Sequence, residues 1–264
     1  MAISVMTTAI TEINTWILLR GLSREQRHWG RFLVKLREAF PQIDFLCLDL
    51  PGTGELYREP SPWSVGAIRR HLQQQCRAAN IPAPFGIMGL SLGGMVALDW
   101  MAASDEVVAV VVMGSSSNDC PLRYRFNPRA MWLGGRAFLS SHIEQRERLV
   151  LRMGSRRHAG DEATIAQWID IQRQQPVSRD TVIKQLLAAA RFSLAANRYR
   201  CPGLVLASDR DTMVSSRCSD KIAGFYHWPL RCHTEAGHDL PLDDPDWVVE
   251  QFRQWREQSE KLPD

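Results

Sequence analysis

What the chain lacks narrows the field first. In 264 residues no run approaches the roughly 18 consecutive apolar residues needed to cross a bilayer, so no membrane span is expected. Residues 1–6 carry neither the basic segment nor the apolar core of an export signal, which points to a cytoplasmic protein. The six cysteines, at 47, 76, 120, 201, 218 and 232, show none of the paired spacing of zinc sites. No metal or other cofactor is expected, and no disulfide. Cys47 and Cys232 fall in apolar runs where a buried free thiol is the ordinary explanation. There is no internal repeat, no low-complexity tract and no nucleic-acid-binding motif, so nucleic acid is not an expected partner.

What is present fits one large domain carrying an insertion, with an apolar fraction of 45% that can fill a sizeable core. The net charge of +3 hides an asymmetry, because residues 119–200 hold 15 Arg or Lys against 7 Asp or Glu. Such a block can steer anionic ligands, although charges broken up at helical spacing also suit a solvated helix surface. Strand-length apolar runs recur at 15–19, 44–48, 85–88, 107–113, 203–207 and 229–233. Helical patterns lie at 29–40, 65–78 and 245–260, the last with Trp247, Val248, Phe252 and Trp255 on one face. This alternation predicts an α/β fold: a mostly parallel sheet of about six strands with helices on both faces. Residues 115–200 break the alternation and read as helices at 140–153, 161–173 and 178–194, an insertion seated over the sheet. The expected organisation is therefore a core of 1–114 and 201–264, interrupted by a helical cap of 115–200.

The most informative residues are Gly89-Leu90-Ser91-Leu92-Gly93, between an apolar strand and a helix former, Gly94 to Met101. In that context G-x-S-x-G is a candidate nucleophile elbow. The flanking glycines allow a turn so tight that a Cβ would clash, and the turn lifts the serine oxygen clear of the sheet. The amide of Leu92, at a helix N-terminus, would face a developing oxyanion. A serine hydroxyl also needs a base and a group that orients the base. Loops at the carboxyl ends of later strands supply both: Asp209-Arg210-Asp211 and Gly237-His238-Asp239. The chain order is Ser, Asp, His.

With these motifs the chain resembles alpha/beta-hydrolase-fold proteins of the compact kind with a helical cap. The likeness runs from Trp16 to the C-terminal helix and rests on the elbow, the loop Asp49-Leu50-Pro51-Gly52-Thr53-Gly54, the Asp loop and the His loop. The glycine loop is not a P-loop, since no Lys-Ser/Thr follows it. Of the seven histidines, only His238 stands where the family carries its catalytic histidine, behind a glycine after the last strand. The resemblance favours Asp211 as the acid, with Asp209 as the rival. It also implies that the Leu22 amide is the second oxyanion donor, in a loop that reads Arg20-Gly21-Leu22 where many relatives read His-Gly.

The implied chemistry is that of a carboxylesterase-like serine hydrolase acting on a small to medium ester through an acyl-enzyme. Thioester, lactone, amide or C–C cleavage, or cofactor-free perhydrolysis, would use the same triad, and a ligand-binding receptor on this fold is the non-enzymatic alternative. The expected partner is a small ester-like molecule. Phe126, Met131, Trp132, Leu133 and Phe138 could line its pocket or simply seat the insertion, and Arg123, Arg125 and Arg129 could attract an anionic group.

Overall fold

The computed structural model describes residues 10–197 and 201–259. Six strands, β1 (Thr15–Leu19), β2 (Asp44–Leu48), β3 (Phe85–Leu90), β4 (Val107–Met113), β5 (Gly203–Ser208) and β6 (Leu230–His233), form one sheet in the order β2-β1-β3-β4-β5-β6. Every pairing is parallel. The central strands are continuous apolar runs because both faces of the sheet are covered. On one face lie α2 (Val65–Ala78), α3 (Leu92–Ala103) and α9 (Ser216–Tyr226), packed on Ile17, Ile87, Val110 and Val205. On the other lie α1 (Gly30–Ala39) and α11 (Pro245–Ser259), whose Phe32, Leu36, Val248 and Phe252 close over Leu18, Met88 and Val111. Trp16 meets Phe252 edge-on at 4.8 Å between ring centroids, so the closing helix is keyed to the first strand.

The strand order reverses between β1 and β3, which leaves a crevice at their carboxyl ends. Between β4 and β5 come α4 (Leu122–Arg125), α5 (Pro128–Leu139), α6 (Ile143–Gly154), α7 (Glu162–Gln174) and α8 (Arg179–Arg191). The sequence reading found only the last three of these. The start of α5 carries a clear signal all the same: Asn127 Oδ1 accepts the Arg129 N–H at 2.9 Å and Pro128 opens the helix. A short α10 (Leu240–Asp243) joins β6 to α11.

A second correction concerns Cys232, which is exposed. Its strand is the sheet edge, and the thiol donates outward to Asp209 Oδ1 at 3.1 Å. Cys120 and Cys218 are buried free thiols with sulfurs 3.0 Å apart. Among the described residues no helix is long and apolar enough to cross a membrane.

Candidate active site

Ser91 stands alone between the last residue of β3 and the first of α3, at φ 55° and ψ −115°. A non-glycine residue in such a conformation stores about 1–3 kcal/mol of strain, which neighbouring bonds must hold. Here its N–H donates to the Met113 carbonyl at 2.8 Å, and its own carbonyl accepts the Ser115 hydroxyl at 2.7 Å. Both flanking glycines are sterically required, for different reasons. A Cβ on Gly89 would lie 2.4 Å from the Gly93 carbonyl oxygen, where strand meets helix. One on Gly93 would lie 2.2 Å from the Leu19 carbonyl oxygen, because the end of β1 crosses there. The loop after β1 runs on across the serine: a Cβ on Gly21 would sit 3.2 Å from Ser91 Cβ. Leu22 follows in that loop, and Leu92, as the first residue of α3, has an N–H with no intrahelical acceptor.

The His238 ring lies behind the end of β4. A Cβ on Gly114 would be 3.2 Å from its Nδ1, and Gly114 follows the Met113 that holds Ser91. His238 Nδ1 and Asp211 Oδ2 are 2.7 Å apart, with both side chains buried. The second oxygen of Asp211 accepts the N–H groups of Met213 and Val214 at 2.7 and 2.9 Å, which fixes the carboxylate. Asp209 is exposed and takes the Cys232 thiol instead, so the structure joins Asp211, not Asp209, to the histidine. Burial works to lower the His238 pKa, but the Asp211 charge and hydrogen bond, helped by Asp239, outweigh it. The net displacement is upward from the ordinary imidazole value.

Sequence reasoning favoured Arg20 as a tie between neighbouring loops but did not identify the partners. Arg20 reaches Asp239 with both terminal nitrogens, at 3.1 and 2.5 Å, and its guanidinium lies 4.7 Å from the Trp29 ring centroid. A buried fork thus joins the loop beside Ser91 to the residue after His238. The junction between α6 and α7 clamps both the Asp211 loop and the His238 loop. The Met153 carbonyl accepts Thr212 Oγ1 at 3.0 Å, and the Gly154 carbonyl accepts the Asp239 N–H at 2.9 Å. Asp243, buried, accepts from the Ser155 hydroxyl and from the N–H groups of Gly237 and Arg156 at 2.6 and 2.9 Å. From α8, fully buried Gln185 accepts the Ser23 N–H at 2.8 Å. The one sequence signal for this was the cluster of acids just after His238.

The other expected residues separate. Phe126 and Phe138 are half-buried, Leu133 is buried inside the insertion, and Met131 and Trp132 are each 60% exposed. Arg125 is spent on the Ala189 and Ala190 carbonyls at 3.0 and 3.2 Å. His28 is fully buried beside Arg24 and Trp168, and burial with the neighbouring arginines holds its pKa well below the ordinary value. Asp49, also buried, supports the glycine loop by accepting the Gln26 and Glu55 N–H groups at 2.8 and 3.0 Å; burial raises its pKa to about 6. A surface groove of about 540 Å³ lined by Gln26, Arg27, Gln167 and Gln174 contains none of Ser91, Asp211 and His238. Among the described residues no group of three His, Cys, Asp or Glu side chains is placed to hold a metal ion.

The same fold is found in solved structures of low sequence identity. An esterase from Thermogutta terrifontis superposes with a TM-score of 0.70 at 18% identity, over 93% of this chain and 90% of that one. A hydrolase from Oleispira antarctica gives 0.71 at 16% identity, over 92% and 91%. An enzyme that degrades N-acyl homoserine lactones gives 0.68 at 18% identity, over 92% and 93%. No curated protein sequence matches the chain. The model of the alpha/beta hydrolase family matches residues 16–251, and the chain belongs to that family.

Proposed function

We propose that the protein is a serine hydrolase that cleaves a small to medium carboxylic ester through an acyl-enzyme. The observation that carries this reading is the 2.7 Å contact of His238 Nδ1 with Asp211, beside a serine held at positive φ on the same end of the sheet. With Nδ1–H donated to Asp211, Nε2 is the free lone pair of a neutral imidazole and can take the Ser91 proton. Ser91 Oγ then attacks the ester carbonyl. The oxyanion that forms receives the N–H groups of Leu22 and Leu92, His238 protonates the departing alcohol, and water reverses the sequence to free the acid. The upward pKa displacement of His238 suits a base that must hold the proton between the two transfers.

In this reading residues 115–200 act as a cap whose α6–α7 junction and Gln185 brace the reacting loops, with Phe126 and Phe138 as lining. Met131 and Trp132 would reach substrate only at an open mouth. A cytoplasmic setting fits a chain whose cysteines are free thiols. The lactone-degrading relative is a reason to include lactones among the substrates tried. The test is labelling with a fluorophosphonate probe, with turnover of p-nitrophenyl esters of graded chain length and of thioesters and lactones. Wild type should label and turn over esters fastest. Ser91→Ala should do neither, at an unchanged melting temperature, and equal labelling of that variant would refute the assignment.

A further inference from the structure

The first part of the insertion carries an apolar surface that none of the described residues covers. Leu122, Met131, Trp132 and Leu139 are 68, 60, 60 and 75% exposed. Helix α5 has two distinct sides. Ala130, Leu133 and Ala137 are buried, with Leu133 and Ala137 packing against Leu149 of α6, while Trp132, Arg136 and Leu139 follow one another at helical spacing along the outer side. Ordinary packing explains the inner stripe and leaves the outer one unexplained.

Charge identifies the partner. Residues 120–143 contain four arginines and not one Asp or Glu. Arg125 is buried on backbone carbonyls, whereas Arg123, Arg129 and Arg136 have no ion-pair partner among the described residues. Acids elsewhere on the insertion do pair with arginines, Arg148 with Glu162 and Arg173 with Glu144 and Asp170, whereas this stretch holds no acid to pair with. Two of these three cations stand beside aromatic rings, Arg136 at 4.8 Å from the Trp132 centroid and Arg123 at 4.6 Å from that of Tyr124. A two-fold contact with a second copy would set this acid-free face against itself, arginine to arginine. A lipid surface meets both demands at once: an indole rests at headgroup level, Met and Leu enter the acyl boundary, and guanidinium groups bond phosphates.

We propose that the outer face of α5 docks the protein on an anionic lipid bilayer. Its position gives the contact a consequence. Gly134 of α5 lies against Met153, whose carbonyl holds Thr212 of the Asp211 loop, so the docked face stands one helix above the site.

The experiment is co-sedimentation of the full chain, carrying Ser91→Ala so that hydrolysis plays no part, with two kinds of vesicle. One is pure phosphatidylcholine; the other is equal parts phosphatidylcholine and phosphatidylglycerol. Binding is expected to the mixed vesicles only, and to weaken as salt is raised. Arg129→Gln with Arg136→Gln should weaken it roughly twenty-five-fold, about fivefold for each arginine near a charged surface. Trp132→Ser with Leu139→Ser should weaken it on the order of tenfold or more. Arg148→Gln with Arg173→Gln, which changes the same charge on the paired surface, should leave it nearly intact. Each variant is checked for an unchanged melting temperature, and the two substitution pairs on α5 test the face independently. No sedimentation with mixed vesicles at low salt, equal binding to both vesicles, or an equal loss from the Arg148/Arg173 pair overturns the proposal. So does concentration-dependent dimerisation of the wild type that Trp132→Ser abolishes, which would assign the face to a second copy.

Discussion

Replacing Arg20 by Met tests the buried fork that joins the Ser91 loop to the His238 loop. Arg20 and Asp239 side chains are 2% and 7% exposed, so neither keeps much water when its partner is removed. In Arg20→Met the Asp239 carboxylate stays behind in a site that cannot solvate it. Removing one member of a buried pair typically costs about 3–5 kcal/mol, most of it from the stranded charge. Loss of the packing on Trp29 at 4.7 Å adds to this. Asp239→Asn strands the guanidinium and should cost a comparable amount. The double variant strands neither, so its loss should fall short of the sum by about 1–3 kcal/mol in a double-mutant cycle. Urea unfolding measures these differences. Kinetics give a second reading, because Arg20 lowers the His238 pKa while Asp239 raises it. Without Arg20 the histidine should take its proton more readily, and the acid limb of kcat/KM should move to higher pH. A loss below about 1 kcal/mol for Arg20→Met, with additive single and double variants, would refute the argument and leave the fork as a surface-like pair.

Asp211→Asn should depress kcat/KM by several orders of magnitude while Asp209→Asn changes it little, since only Asp211 bonds the ring; the reverse order in a steady-state assay would exchange their roles. With its pKa raised in the fold, His238 should give kcat/KM a rising acid limb centred above the ordinary imidazole value, and Asp211→Asn should bring that limb down. The same shift makes the His238–Asp211 contact a source of stability that is complete below the unfolded-state pKa and lost as pH rises through the folded one. Urea melts across that range, with Asp211→Asn flattening the change, check the sign. Gly93→Ala should unfold the protein or inactivate it outright, because the new Cβ would sit 2.2 Å from a backbone oxygen that no side-chain motion can move; a normal melting temperature with full turnover would contradict that geometry.

The core was readable because its physics is local. A seven-residue run rich in β-branched valine, such as 107–113, favours a strand buried on both faces, as β4 is, and Ser64 caps the start of α2. The elbow was readable for a related reason: the requirement for glycine is enforced by backbone atoms a few residues away, as at Gly89. Choosing between Asp209 and Asp211 was harder. Both sit in one loop, and the decision depends on the direction of a single carboxylate toward a ring 27 residues later. The amides of Met213 and Val214 settle that direction, and a sequence shows amides at every position alike.

The partner of Arg20 was out of reach altogether, since it lies 219 residues away and nothing in either segment marks the other. Yet Arg20 itself was visible beside Gly21 in the loop after β1, and the structure supplies its counterpart in Asp239. The arginine is therefore one half of a buried charge pair. A cation placed near His238 would by itself lower its pKa, and the adjacent carboxylate returns the field toward neutrality. The two charges act on His238 in opposite senses while their fork holds the two loops in register. A chain carrying either residue alone is expected to be both less stable and shifted in its pH dependence.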